Sequence, residues 1–221
     1  VKDDDKVPVI AIDGPSGSGK GTVAKRIAQQ LGFHYLDSGA LYRAVALKAR
    51  EHGVSWDDEG GLAKLAAALE LKFEGDQVLL GNEDVGFKIR GEELSAAASK
   101  VAIHPQVRRA LLARQRAFRK APGLVAEGRD MGSVVFPDAR LKIFLTASIE
   151  ARAKRRYKQL REKGMHANLD TLLRDIAERD QRDSKRAAAP LMQSADAMVL
   201  DTTGRSIAEV VVKIMEQYAA R

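Results

Sequence analysis

The residues Val7-Pro8-Val9-Ile10-Ala11-Ile12-Asp13-Gly14-Pro15-Ser16-Gly17-Ser18-Gly19-Lys20-Gly21-Thr22 decide the fold. An apolar run of strand length leads into a loop with G-x-x-x-x-G-K spacing. An amphipathic stretch from Lys20 to Leu31 follows, with Val23, Ala24, Ile27, Ala28 and Leu31 on one stripe. Glycines let the loop curl so that its N–H groups converge on an anion, the helix start adds the positive end of its dipole, and Lys20 brings a point charge. Gly14, Pro15, Ser16, Gly17, Ser18, Gly19, Lys20, Gly21 and Thr22 therefore form a candidate ATP-phosphate cradle, with Lys20 reaching the β/γ-phosphates. Gly21 stands where the simplest form of this loop has Ser or Thr, so the hydroxyl facing Mg²⁺ is Thr22, or position 21 is silent.

Working outward, Gly32 stops the first helix and Phe33 to Leu36 reads as a strand. A second helix is expected from about Ala40 to His52, and another from Pro105 to about Lys120. Leu124–Ala126 and Leu141–Leu145 read as buried strands, and Ala197–Leu200 as the last one. Helices are expected from Ile149 to a stop at Gly164, and from Asn168 to about Asp183. A capping box at Ser206–Glu209 opens a final helix that buries Ile207, Val210, Val211, Ile214 and Tyr218. Strands alternating with helices imply an α/β fold in three layers, a parallel sheet flanked by helices. Residues 54–103 break the alternation: a short helix around Leu62–Leu69 and a small hairpin, Leu71–Phe73 with Val78–Leu80, read as an insertion within a single domain. Residues 1–6 are a charged tail and are left out of the fold.

The 221 residues carry no cysteine, which removes disulfides and thiolate metal sites, and the four histidines show no metal-ligand spacing. No apolar run approaches the ~20 residues needed to span a bilayer, so a cytoplasmic protein with no membrane partner is expected. The net charge of +7 fits either nucleic acid or small polyanions. The aromatics do not interleave with basic residues as on a single-strand-binding platform, and no nucleic-acid motif is present, which favours nucleotides. No N-K-x-D guanine-reading motif occurs, against a GTPase. The strand at 124–126 ends in Glu127, a candidate for holding Mg²⁺ through water or for pairing with a neighbouring arginine.

Four blocks then resemble one family: Gly14–Thr22, Asp37-Ser38-Gly39-Ala40-Leu41-Tyr42-Arg43, Gly128-Arg129-Asp130-Met131-Gly132-Ser133-Val134-Val135-Phe136-Pro137-Asp138, and Arg179-Asp180-Gln181-Arg182-Asp183-Ser184-Lys185-Arg186 through Pro190-Leu191. In order and spacing they are similar to the bacterial cytidylate kinases, nucleoside monophosphate kinases of the P-loop group. Glu127 departs from the Asp of many members but keeps the carboxylate. The resemblance implies transfer of the ATP γ-phosphoryl group to CMP or dCMP with Mg²⁺. It implies Ser38, Arg43, Arg129 and Arg186 around the acceptor phosphate, Ser99, Arg108 and Asp130 on cytosine, and Arg179 and Asp183 on the sugar. It also implies a mobile lid at about 152–165, with Arg155 or Arg156 joining Lys20, Arg129 and Arg186 in the transfer. By residue type alone, the helix bearing Arg108, Arg109, Arg114, Arg116, Arg119 and Lys120 reads as a solvated charged face, and Asp183 with Arg186 as a helical ion pair. A monomer is expected, since no feature argues for an interface.

Overall fold

The structure is a computed structural model describing residues 7–75, 77–162, 164 and 166–221. The tail at 1–6 and Asp76 of the expected hairpin turn lie outside the described residues. Five strands form a wholly parallel sheet in the order β2 (His34–Asp37), β6 (Leu124–Gly128), β1 (Val9–Asp13), β7 (Leu141–Thr146) and β8 (Met198–Asp201). The alternation of β1 divides the core. Val9 and Ala11 pack with Leu36, Leu124 and Ala126 on one face, whereas Ile10 and Ile12 pack with Val125, Ile143 and Leu145 on the other. Helices α1 (Lys20–Leu31) and α8 (Ile207–Ala219) cover the second face, and α2 (Ser38–Glu51) belongs to the first. Ser206 and Glu209 form the expected reciprocal cap of α8.

Helix α2 begins at Ser38, two residues before the expected start, because the Asp37 side chain accepts the N–H of Ala40 and caps it. Helix α5 (Pro105–Arg116) ends earlier than expected. The insertion holds α3 (Glu59–Ala67) and an antiparallel sheet of β3 (Leu71–Glu74), β4 (Gln77–Leu80) and β5 (Glu83–Asp84). It also holds a helix the sequence reading did not place, α4 (Glu92–Val101), which buries Leu94, Ala97, Ala98 and Val101. Helices α6 (Ile149–Glu162) and α7 (Leu169–Lys185) pair through Ala153, Leu160, Leu172 and Ile176. Among the described residues, no helix is long and apolar enough to cross a membrane.

Strand β1 connects through α1 to one side of the sheet and β6 connects to β7 on the other. The order therefore reverses beside β1, and the crevice at the carboxyl ends of β1 and β6 is where such sheets take ligands. The loop 14–19 leaves β1 there. Gly14 has φ 151°, and a Cβ at that position would overlap the Leu145 carbonyl oxygen of β7, so only glycine fits.

Candidate active site

A cleft of about 1110 Å³ runs from the loop 14–19 to the insertion. Ser16, Gly17, Gly19, Lys20, Gly21 and Thr22 line it, while Gly14, Pro15 and Ser18 are buried behind it. The Lys20 ammonium donates to the Pro15 carbonyl at 3.0 Å and lies 3.9 Å from Oε2 of Glu127. Oε1 of Glu127 accepts from the Tyr35 hydroxyl at 3.2 Å. Asp37 and Glu127 are register partners at the ends of β2 and β6, so two carboxylates stand side by side next to Lys20.

Opposite them stand the arginines. Arg43 donates to Asp37 at 2.7 Å, and Arg129 Nε donates to Asp183 Oδ2 at 2.8 Å. Arg179 Nε is 4.0 Å from the same Asp183 oxygen, and its Nη1 lies 3.5 Å from the Ser16 hydroxyl. Asp183 pairs with Arg129 and Arg179 rather than with Arg186, correcting the expected helical pair. Arg186 leaves the end of α7 and donates to the Ala189 carbonyl at 2.6 Å. The Ser99 hydroxyl reaches Asp183 at 3.5 Å and accepts from Arg182 Nε at 3.4 Å. Arg108 hydrogen-bonds Asp130 and lies 5.7 Å from the Tyr42 ring centroid. Its side chain is 11% exposed, so at this position α5 does not present the solvated face that residue type suggests.

Burial and like charge work against Lys20, Arg179 and Arg186, whereas Arg108 and Arg129 are raised, despite burial, by groups that include their carboxylate partners Asp130 and Asp183. Burial, then the field of Arg129, pushes Arg179 down to about 10. Burial, followed by Arg129, takes Lys20 down to about 7, and burial with the neighbouring Asp37 takes Glu127 up to about 7. Among the described residues, Nε of Arg43, Nε of Arg179 and Nη2 of Arg186 are buried with no hydrogen-bond partner. Burial, then the neighbouring Arg108, lowers Arg186 as well.

The cytidylate kinase family model matches residues 10–220. The chain belongs to the cytidylate kinase family. A cytidylate kinase of Paraburkholderia phymatum is 57% identical over 97% of this chain and 94% of that protein. One of Bordetella pertussis is 58% identical over 96% of each. In fold alone, the chain is similar to a gluconokinase from Sinorhizobium meliloti 1021, with a TM-score of 0.50 at 16% identity over 97% of this chain and 93% of that one.

Every acceptor-side residue implied by the cytidylate kinase resemblance lines this one cleft: Ser38, Arg43, Ser99, Arg108, Arg129, Asp130, Arg179, Asp183 and Arg186. Thr22, Glu127 and Arg156 line it too. Arg155 does not: it donates to the Gly17 carbonyl at 3.4 Å and to the Thr202 hydroxyl at 2.9 Å, and Arg156 is held by Glu92 of α4.

Sequence reading missed the residues that hold these. Asp13 accepts the N–H groups of Met131 and Gly132, both at 2.8 Å, and so fixes the turn that follows Arg129 and Asp130. That turn, Met131–Val135, is a single π turn closed by Phe136 N on Met131 O at 2.7 Å. Tyr35 lies two residues before the block that opens at Asp37, and Asp37 and Tyr42 lie within it, but nothing in their spacing gives them a partner.

Proposed function

We propose that this kinase transfers the γ-phosphoryl group of ATP to CMP or dCMP through the residues of this cleft, releasing ADP and CDP or dCDP. One observation carries the residue-level reading. The phosphate loop, the guanidiniums of Arg43, Arg129, Arg179 and Arg186 and the Arg108–Asp130 pair line one cleft.

The ATP phosphates lie against the loop 14–22, with Lys20 on the β/γ-phosphates. The acceptor phosphate lies among Ser38, Arg43, Arg129 and Arg186. Its own oxygen is the nucleophile, so no strong base is needed. Two polyanions must instead be held together, and the guanidinium fork suits them because it binds phosphate oxygens bidentately.

Glu127 and Asp37 fit a hard cation: two adjacent carboxylates beside the loop repel each other, and a divalent ion relieves that repulsion. Glu127, and Thr22 at the cleft wall, would hold Mg²⁺ through water. Bound there, the ion neutralises charge on the phosphate oxygens.

Asp130 takes the cytosine amino hydrogens, Arg108 donates to the ring acceptors with Ser99 beside it, and Arg179 and Asp183 hold the sugar. Uracil would place a carbonyl against Asp130. The segment at about 152–165 serves as a lid over ATP, with Arg155 or Arg156 joining the transfer.

Asp130→Ala tests the base-reading assignment. The ratio of kcat/KM for CMP over UMP should fall by at least about tenfold, because the rejecting carboxylate is gone. An unchanged ratio would remove Asp130 from base selection.

A further inference from the structure

The outer surface of the phosphate loop is held by side chains that do not line the cleft. Arg152 Nη1 donates to the Ser16 carbonyl at 3.1 Å, and Arg155 Nη1 donates to the Gly17 carbonyl at 3.4 Å. Thr202 Oγ1 lies 3.0 Å from the Ser18 carbonyl and 3.1 Å from the Thr146 carbonyl, with one proton to share between them. Each carbonyl shares a trans peptide plane with the next N–H, and the two point in opposite directions. Holding the carbonyls of residues 16, 17 and 18 from outside therefore turns the N–H groups of the next residues the other way; that of Ser18 donates to the Pro15 carbonyl at 3.5 Å, which leaves those of Gly17 and Gly19.

Arg152 is the most constrained of the three. It is 3% exposed and makes four hydrogen bonds: Nε to the Ala147 carbonyl at 3.0 Å, Nη1 to Ser16 and to Asp180 Oδ1 at 3.0 Å, and Nη2 to Asp180 Oδ2 at 2.6 Å. The fork thus grips a carboxylate bidentately while its inner edge holds two backbone carbonyls from different loops. The loop is also close-packed on it: a Cβ added to Gly17 would lie 3.0 Å from Cβ of Arg152. Asp180 follows Arg179 on α7, directly before the turn bearing Arg182, Asp183 and Arg186. One side chain consequently joins the donor-phosphate loop to the helix that supplies acceptor-side cations.

We propose that Arg152, anchored by Asp180, is a positioning residue for phosphoryl transfer. It holds the loop amides in their inward orientation and fixes α7 against the loop, so that donor and acceptor phosphates meet in line. The inference rests on reading the cleft as an ATP and CMP site. Turnover by the parent protein in the same assay tests that reading separately.

The experiment compares kcat and KM of Arg152→Lys, Asp180→Asn and the double variant, each assayed well below its thermal midpoint and checked for fold by circular dichroism. Lys keeps the charge but, as a single point donor, cannot reach four acceptors. Asn keeps the shape and one acceptor oxygen. Each single variant should lose kcat by on the order of 10- to 100-fold, the scale expected of a small misplacement at the reacting centre. KM for ATP and for CMP should stay within about threefold, because the groups that touch substrate remain. The double variant should be no slower than Arg152→Lys, since the two residues act as one unit. A kcat within about twofold of the parent in folded variants would overturn the proposal. So would a rise in KM at unchanged kcat, or losses that multiply in the double variant. If Arg152→Lys fails to fold, Asp180→Asn decides alone, and parent-like kcat there rejects the role.

Discussion

Asp13 is placed between opposing demands. Two backbone N–H groups favour its charged form, while its burial opposes charge and prevails, raising the carboxyl from 3.8 to about 6. Between those two values the folded protein holds a proton that the unfolded chain has released, so this group's contribution to stability falls as pH rises from 3.8 to about 6. Asp13→Asn cannot titrate. The thermal midpoint of the parent relative to the variant should therefore fall across that pH window and level off above it. A difference that is flat from pH 4 to pH 7, or that rises, would contradict the assignment. Nothing in the sequence around Asp13 announces this role, because its partners Met131 and Gly132 are more than a hundred residues away. Arg152 is hidden for a different reason: it sits in a run of basic residues, and only folding shows that it is 3% exposed and held by Asp180.

At the scale of elements, the strand–loop–helix unit was legible because strand, glycine spacing, Lys20 and the apolar stripe of α1 all agree in one short stretch. Helix α4 was not. Its N-cap, Gly91, has no side chain to cap with, and its buried face of Leu94, Ala97, Ala98, Ser99 and Val101 carries only two large apolar residues. The π turn at Met131–Val135 has no sequence pattern of its own, since it is imposed by the Asp13 acceptor and by the packing of Gly132 on Lys142. Two substitutions separate kinds of element-level constraint. Gly14→Ala sets a Cβ against the β7 backbone at a φ that L-residues rarely adopt, and it should cost upward of about 3 kcal/mol and abolish ATP binding. Ser206→Ala removes only the α8 cap and should cost about 1 kcal/mol with turnover unchanged. Chemical denaturation with ATP titration checks both. A Gly14→Ala protein as stable as the parent would show that the loop and β7 are not held as described.

Across the whole molecule, the parallel sheet and its helical layers could be read from the alternation of apolar strands and amphipathic helices. The grouping of Ser99, Arg108, Asp130, Asp183 and Arg186 could not, since these residues come from α4, α5, the β6 loop and α7 and meet only in three dimensions. Residue type alone left Arg108 on a solvated face and Asp183 with Arg186 as a local pair, and only the family resemblance brought the five together. The cleft gathers twelve of the chain's 37 Lys and Arg residues beside nine Asp and Glu, so it accounts for part of the basic balance. The most direct test is ADP release with Mg·ATP against CMP, dCMP, UMP, AMP and GMP. The account predicts that CMP and dCMP lead by a hundredfold or more in kcat/KM, about 2.7 kcal/mol of discrimination. UMP matching CMP, or no monophosphate serving as acceptor, would contradict it.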